Sequence, residues 1–185
     1  AWSGKANVYH EGTLLGAYII KEESGAKYVE VSSSSFSEFS VEAIVPLFDG
    51  EGTETSPYLI DSADKLATLR NEVNGGEAYE GVYFKLTGDI TLSGEWTAIG
   101  NGSRNGTGYT GNAFKGVFDG DNNTISGLTI TSTTGAKAAI GLFGVVDGGT
   151  VKNVNLTDVN VNVVSSDLAG AAIGMMLNGA TAEGI

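Results

Sequence analysis

The residues best suited to do chemistry in this 185-residue chain are carboxylates at glycine-rich corners. Asp119-Gly120-Asp121-Asn122-Asn123 places four oxygen-bearing side chains within one turn, which is the donor type that calcium takes. It lacks the distal glutamate of an EF-hand, and no glycine–aspartate nonapeptide array surrounds it, so a plain turn is the simpler reading. Asp89, Asp119 and Asp147 each fall near a corner and could stack on one edge. A pair of carboxylates roughly 5–10 Å apart is the arrangement that cleaves glycosidic bonds. Only Lys85, Lys115 and Lys152 stand near these acids to hold an acidic sugar. Trp96, Tyr109 and Phe114 flank the segment 100–113 and could stack on sugar rings, although core packing is the commoner use of such side chains.

Other chemistry is excluded outright. The chain has no cysteine, which removes disulfides, thiol nucleophiles and thiolate metal sites. The single histidine, His10, lies far in sequence from every candidate acid and supports no nucleophilic triad. Gly148-Gly149-Thr150 is not followed by the Gly-Lys-Ser/Thr of a phosphate loop. Leu128-Thr129-Ile130-Thr131 resembles one row of an ice-binding threonine array, but one copy is not a row. No catalytic, cofactor-binding or metal-ligating residue is therefore assigned.

The formal charge of −12 argues against nucleic acid and against anionic membrane surfaces, both of which select lysine and arginine clusters. No apolar run approaches the ~18 residues that cross a bilayer. Glycine is abundant (28 residues) and proline rare (2), so tight corners dominate over proline-rich disorder.

These corners punctuate short apolar pieces. Thr124-Ile125-Ser126-Gly127-Leu128 returns as Thr150-Val151-Lys152-Asn153-Val154 and, weakened, as Thr181-Ala182-Glu183-Gly184-Ile185. Ile140-Gly141-Leu142-Phe143 is echoed by Ile173-Gly174-Met175-Met176. Intervals of about 26 and about 31 residues signal stacked repeats. The expectation is an all-β, right-handed parallel β-helix in which Ile125 lies over Val151. Strands are expected over 82–86, 90–92, 96–99, 115–118, 124–130, 139–146, 151–156 and 159–164, with 100–113 as a loop.

Upstream, Asp61-Ser62 offers a helix N-cap. Leu66, Leu69 and Val73 recur at helical steps until Asn74-Gly75-Gly76. A helix over 62–73, directly before the first coil, would cover the exposed end of the stack. Residues 1–47 alternate polar and apolar instead, notably over 27–32 and 39–45, and read as an antiparallel β segment, the tail of a β-sandwich module. Residues 48–56 are polar and read as a linker, with the β-helix over 57–185. The chain starts at Ala1 without methionine and stops inside the third repeat. It reads as a processed piece of a longer protein, truncated at its C-terminal end.

Pro57-Tyr58-Leu59-Ile60, Leu66, Leu86-Thr87-Gly88-Asp89-Ile90-Thr91-Leu92, Trp96-Thr97-Ala98-Ile99-Gly100, Phe114-Lys115-Gly116-Val117-Phe118-Asp119-Gly120 and Gly141-Leu142-Phe143-Gly144 occur in an order that resembles the GLUG-repeat family. The resemblance covers about residues 52–160. It implies a bacterial cell-surface or wall-attached extracellular protein, adhesive and non-enzymatic, whose partner is a host or cell-surface glycan or protein. Some family members accompany an immunoglobulin A metallopeptidase. That activity needs a His-Glu-x-x-His helix, which a chain with one histidine lacks. Met175 and Met176 replace the Leu-Phe pair in the last repeat, and Ala182 is small for a wall position. The alternative reading is a carbohydrate-binding or carbohydrate-active β-helix.

Overall fold

The computed structural model describes residues 5–24, 26–32, 38–43, 46–131, 138–163 and 168–185. Serines 33–35, positions 36–37, Ile44, Val45 and Val164, which the sequence places in loops or strands, lie outside them. The chain divides into two compact units, Ala1–Pro46 and Leu47–Ile185. The described elements are almost all strands, with one helix.

The first unit contains β1 (Lys5–His10), β2 (Thr13–Ile19), β3 (Lys21–Glu23), β4 (Ala26–Tyr28) and β5 (Phe39–Ala43). All pairings in it are antiparallel: β2–β1–β5 form one sheet and β3–β4 a hairpin. Ala6 and Val8 are buried, whereas Leu14, Ile19, Phe39 and Val41 stay exposed. The alternation over 27–32 yields a strand only as far as Tyr28.

The second unit opens with a correction. Residues 48–56, expected as a linker, are folded onto this unit. Phe48 is buried against Tyr58 and Phe84, with ring centroids 5.5 and 5.3 Å away. The Leu59 N–H donates to the Asp49 carbonyl, and the Tyr83 N–H donates to that of Gly52. Composition marks this stretch as polar, but one aromatic anchor and the backbone bonds decide its place.

Then come β6 (Tyr58–Ile60), α1 (Ala63–Gly75), β7 (Tyr83–Leu86), β8 (Ile90–Thr91), β9 (Ser103–Asn105) and β10 (Gly108–Thr110). They are followed by β11 (Val117–Asp119), β12 (Thr124–Ser126), β13 (Thr129–Thr131), β14 (Ala139–Ile140), β15 (Phe143–Asp147) and β16 (Thr150–Lys152). Last are β17 (Asn155–Thr157), β18 (Asn160–Asn162), β19 (Leu168–Ala169), β20 (Ile173–Leu177) and β21 (Thr181–Glu183). Apart from the β9–β10 hairpin, every ladder between these strands is parallel.

The largest sheet has the order β21–β16–β11–β7–β6. Tyr83, Val117, Thr150 and Thr181 stand in register in it, so 34, 33 and 31 residues separate neighbouring rungs. Its inward column runs Tyr58, Phe84, Phe118, Val151, Ala182. Smaller parallel sheets, β17–β12–β8, β13–β18, β14–β19 and β15–β20, follow each rung in turn.

The expected register fails at one wall. Ile125 lies beside Ile90 and Leu156, while Val151 lies beside Phe118 and Ala182. The two belong to different sheets and are not stacked. A threonine–aliphatic phrase closed by a corner suits every wall of such a ladder, so phrase similarity cannot tell one wall from the next. The later pairing of Thr150 with Thr181 does hold. The Ile140–Phe143 echo slips: Phe143 meets Ile173, three residues short of its echo, and Ile140 meets Ala169, four short.

Corners also divide strands that the sequence runs together. The expected strand 124–130 breaks at Gly127, whose φ is +74° and whose Cβ, if present, would sit 2.6 Å from the Leu92 carbonyl oxygen. The strand 151–156 breaks at Asn153, with φ +54°. The strand over 96–99 is absent; only isolated bridges form there, Glu95 to Thr129 and Ile99 to Phe143. Conversely, the expected loop 100–113 contains the β9–β10 hairpin. Its two-residue turn, Gly106–Thr107, starts with glycine at φ +61°, as a II′ turn requires.

Helix α1 matches its sequence signals. Ser62 accepts from the Lys65 N–H, Gly76 closes the helix at φ +112°, and Leu66, Leu69 and Val73 are buried in the main core. Asn74 holds the C-terminal end of the helix. Its amide donates to the Ala98 carbonyl at 3.0 Å and accepts from the Gly100 N–H at 2.8 Å. Asn112 donates to the Asn74 carbonyl at 2.7 Å.

Two outcomes follow. Phe118→Ala removes a fully buried ring between two rungs and should cost about 3–5 kcal/mol, read as a lowered midpoint in chemical denaturation. Leu66→Asp with Leu69→Asp should bare the core under α1 and cause aggregation in light scattering. A soluble double variant of unchanged stability would show that α1 covers nothing essential.

Candidate functional site

The three candidate acids are not brought together, because each sits at its own corner and meets different partners. Asp89 accepts from the Thr124 N–H at 2.7 Å and so joins consecutive rungs. Asp119 ends β11, in register with Lys85 on one side and Lys152 on the other. Its carboxylate accepts from Asn153 Nδ2 and from the Asp121 N–H, both at 2.9 Å, and lies 3.3 Å from Lys152 Nζ. Asp121 pairs with Lys85 Nζ at 3.0 Å. The two carboxylates that the sequence offered to calcium are thus engaged, Asp119 by Lys152, Asn153 and the Asp121 N–H and Asp121 by Lys85. Among the described residues, no group of three or more acidic or histidine side chains is poised around a metal position.

Asp147, at the end of β15, is the one buried charge among the described residues, with only 8% of its surface exposed. Three segments converge on it. Tyr109 from the hairpin donates its hydroxyl at 3.1 Å. Lys115, just before β11, brings Nζ to 3.4 Å. Asn178, after β20, donates from Nδ2. Asn178 reaches this position from a left-handed backbone, φ +51°. Glu80 and Gly148 complete a polar hollow of about 220 Å³.

Burial pushes the Asp147 carboxyl up. The hydrogen bonds from Asn178 and Tyr109, together with the Lys115 charge, outweigh it and hold the group below the usual carboxylate range. The same balance operates at Asp119, where Asn153, the Asp121 N–H and Lys152 overcome desolvation. A general acid for glycoside cleavage needs the opposite shift, toward a proton retained near neutrality. At both corners the donors that hold the carboxylate come from neighbouring rungs and so tie one rung to the next. Sequence reasoning missed Tyr109 and Asn178 as partners of Asp147, and no local spacing connects them: they lie 38 and 31 residues away.

The candidate aromatic platform is dispersed. Phe114 is buried between Phe84 and Phe143. Trp96 is buried, donates its indole N–H to the Leu142 carbonyl at 3.1 Å, and carries the Arg70 guanidinium 4.8 Å from its ring centre. A recess of about 290 Å³ opens beside it, lined by Trp96, Asn101, Ile130 and Ile140 among others. His10, in the first unit, stacks on Phe39 at 4.5 Å. No helix among the described residues is long and apolar enough to cross a membrane.

Asp147→Asn keeps the shape but removes the charge that three donors hold. It should destabilise the fold by about 1–3 kcal/mol at pH 7. The folded state binds this proton more weakly than the unfolded chain, so the contribution is present above the unfolded pKa of about 3.9. It is lost as the pH falls through the lower folded value. Melting curves of the two proteins should therefore converge as the pH falls below the usual carboxylate range.

No family model and no solved structure matches this chain. It is 37% identical over 134 residues to a protein of Evansella cellulosilytica named as a Gly-rich membrane protein. That alignment covers 68% of this chain and 14% of the relative. It is also 37% identical over 128 residues to a protein named halomucin from Haloquadratum walsbyi, covering 64% of this chain and 1% of that relative. The chain therefore spans a small fraction of either relative's length.

Proposed function

We propose that residues 57–185 form a right-handed parallel β-helix of the GLUG-repeat kind, capped by α1. On this reading the chain is a non-catalytic segment of an extracellular surface protein and presents a binding surface to a glycan or protein partner. The observation that carries the reading is the in-register parallel ladder β21–β16–β11–β7–β6 with its continuous inward column. Strands of three or four residues gain stability only from neighbours in such a stack. Handedness follows from the strong preference of parallel crossovers for the right-handed turn.

Support for a surface setting comes from the relative named as a membrane protein, from halomucin, and from the −12 charge. A role without catalysis is supported by the engagement of Asp89, Asp119 and Asp147 in separate corner contacts. A glycan array paired with a reducing-sugar assay separates this reading from a carbohydrate-active one. Binding without sugar release is the expected result. Release that disappears in Asp119→Asn would overturn the proposal.

A further inference from the structure

Asn-x-Ser/Thr triplets occur at Asn101, Asn105, Asn122 and Asn155. Such a triplet accepts N-linked sugar in an exported protein when it lies on a surface loop. The asparagine amide must be free, and the backbone around it must be able to enter the active site of a transferase. The fold treats the four triplets differently.

Three of them are held. In Asn101-Gly102-Ser103 the middle residue is buried, and a Cβ on Gly102 would lie 2.5 Å from Val145 Cγ2. Asn101 Oδ1 also accepts from the Asn112 N–H at 3.1 Å. Asn122-Asn123-Thr124 runs into β12. There Asn123 Nδ2 donates to the Gly120 carbonyl at 3.0 Å, and the Thr124 N–H donates to Asp89 at 2.7 Å. Asn155-Leu156-Thr157 is the strand β17, paired in register with β12, and Asn155 Nδ2 donates to the Asn122 carbonyl at 2.7 Å. Modifying any of these would break packing or hydrogen bonds that the fold uses.

Asn105-Gly106-Thr107 is the exception. All three residues are exposed at the tip of the β9–β10 hairpin, which forms its own two-stranded sheet. A Cβ on Gly106 would meet nothing within 4 Å. The Asn105 side chain makes no hydrogen bond among the described residues, so its amide has no partner to give up. The contacts that tie the hairpin to the ladder, Tyr109 on Asp147 and the Gly102 carbonyl on the Ala139 N–H, both lie behind the turn.

We propose that Asn105 is an N-glycosylation acceptor, the one triplet of the four that the folded chain offers. The donor class is an oligosaccharide carried on a polyprenyl phosphate lipid. Asn105 Nδ2 bonds to the anomeric carbon of the sugar while the bond from that carbon to the phosphate oxygen breaks. The electron pair leaves with the lipid phosphate, and one amide proton passes to a base of the transferase. The Thr107 hydroxyl is the group by which the triplet is recognised. A glycan here projects from the hairpin tip and leaves the ladder intact. The inference rests on the extracellular setting proposed above for the encounter with a transferase, but its chemistry is tested apart from that setting.

The test incubates the purified, folded 185-residue chain with a detergent-solubilised oligosaccharyltransferase that reads Asn-x-Ser/Thr, together with its lipid-linked oligosaccharide. Four short peptides, each carrying one triplet, are treated in parallel, and glycopeptides are located by tandem mass spectrometry. The expected result is sugar on all four peptides but only on Asn105 of the folded chain. Thr107→Ala should abolish the modification and Thr107→Ser should keep it. Thr107 is exposed, so an unchanged thermal melt of both variants shows that folding is intact. A bare Asn105 in the folded chain, or in its own peptide, would overturn the proposal. Equal modification of Asn101, Asn122 or Asn155 in the folded chain, or refusal of their peptides, would overturn the claim that the fold makes the choice. None of these failures bears on the surface reading, because the reaction is run outside the cell.

Discussion

The structure of the second unit depends on a single constraint: a three-residue strand cannot bury its own apolar side chain. Ile125 is covered only because Ile90 lies on one side and Leu156 on the other. The same holds for Phe118 between Phe84 and Val151. Aromatic rings strengthen this dependence, since Phe84, Phe114, Phe143 and Phe118 form a chain of contacts 5.2–6.1 Å apart through the core. Such offset and edge contacts add to the burial of apolar area. Stability is thus a property of adjacent pairs of rungs more than of any element alone.

Charge supplies what apolar burial does not. A column of aliphatic and aromatic side chains tolerates a slip to the next wall, because its members are nearly interchangeable. Carboxylates and lysines are not. Asp89 reaching the Thr124 N–H, Asp119 facing Lys152, and Asp147 gathering Tyr109, Lys115 and Asn178 each fix one rung against another at a defined place. Several of these bonds are partly buried, where they are less screened by salt than exposed pairs. The acids therefore contribute specificity of register.

Much of this was legible in the sequence, and the boundary is instructive. Local rules located α1 because Ser62, Leu66, Leu69, Val73 and Gly76 act within a few residues of one another. Short strands and glycine or asparagine corners were readable for the same reason. Register was not, because Ile125 and Val151 occupy locally identical settings and differ only in partners more than 30 residues away. The hairpin at Ser103–Thr110 did carry a local sign, Gly106 at the first turn position, but a glycine among polar residues reads equally well as a loop. At the acidic corners the residue types were evident, but their neutralisation by Lys85 and Lys152 became visible only with the parallel pairing.

The hairpin bears on how such a chain can vary. Ile99 and Phe114 flank it, yet they remain bridged to Phe143 and Val146, three residues apart in the next rung. The hairpin stays tied to that rung through Tyr109 on Asp147 and the Ala139 N–H on the Gly102 carbonyl, whereas its turn, Gly106–Thr107, lies beyond these ties. Closing a longer segment costs free energy that rises only with the logarithm of its length. That turn is accordingly a natural insertion port, where residues can be gained while the framework beneath keeps its dimensions.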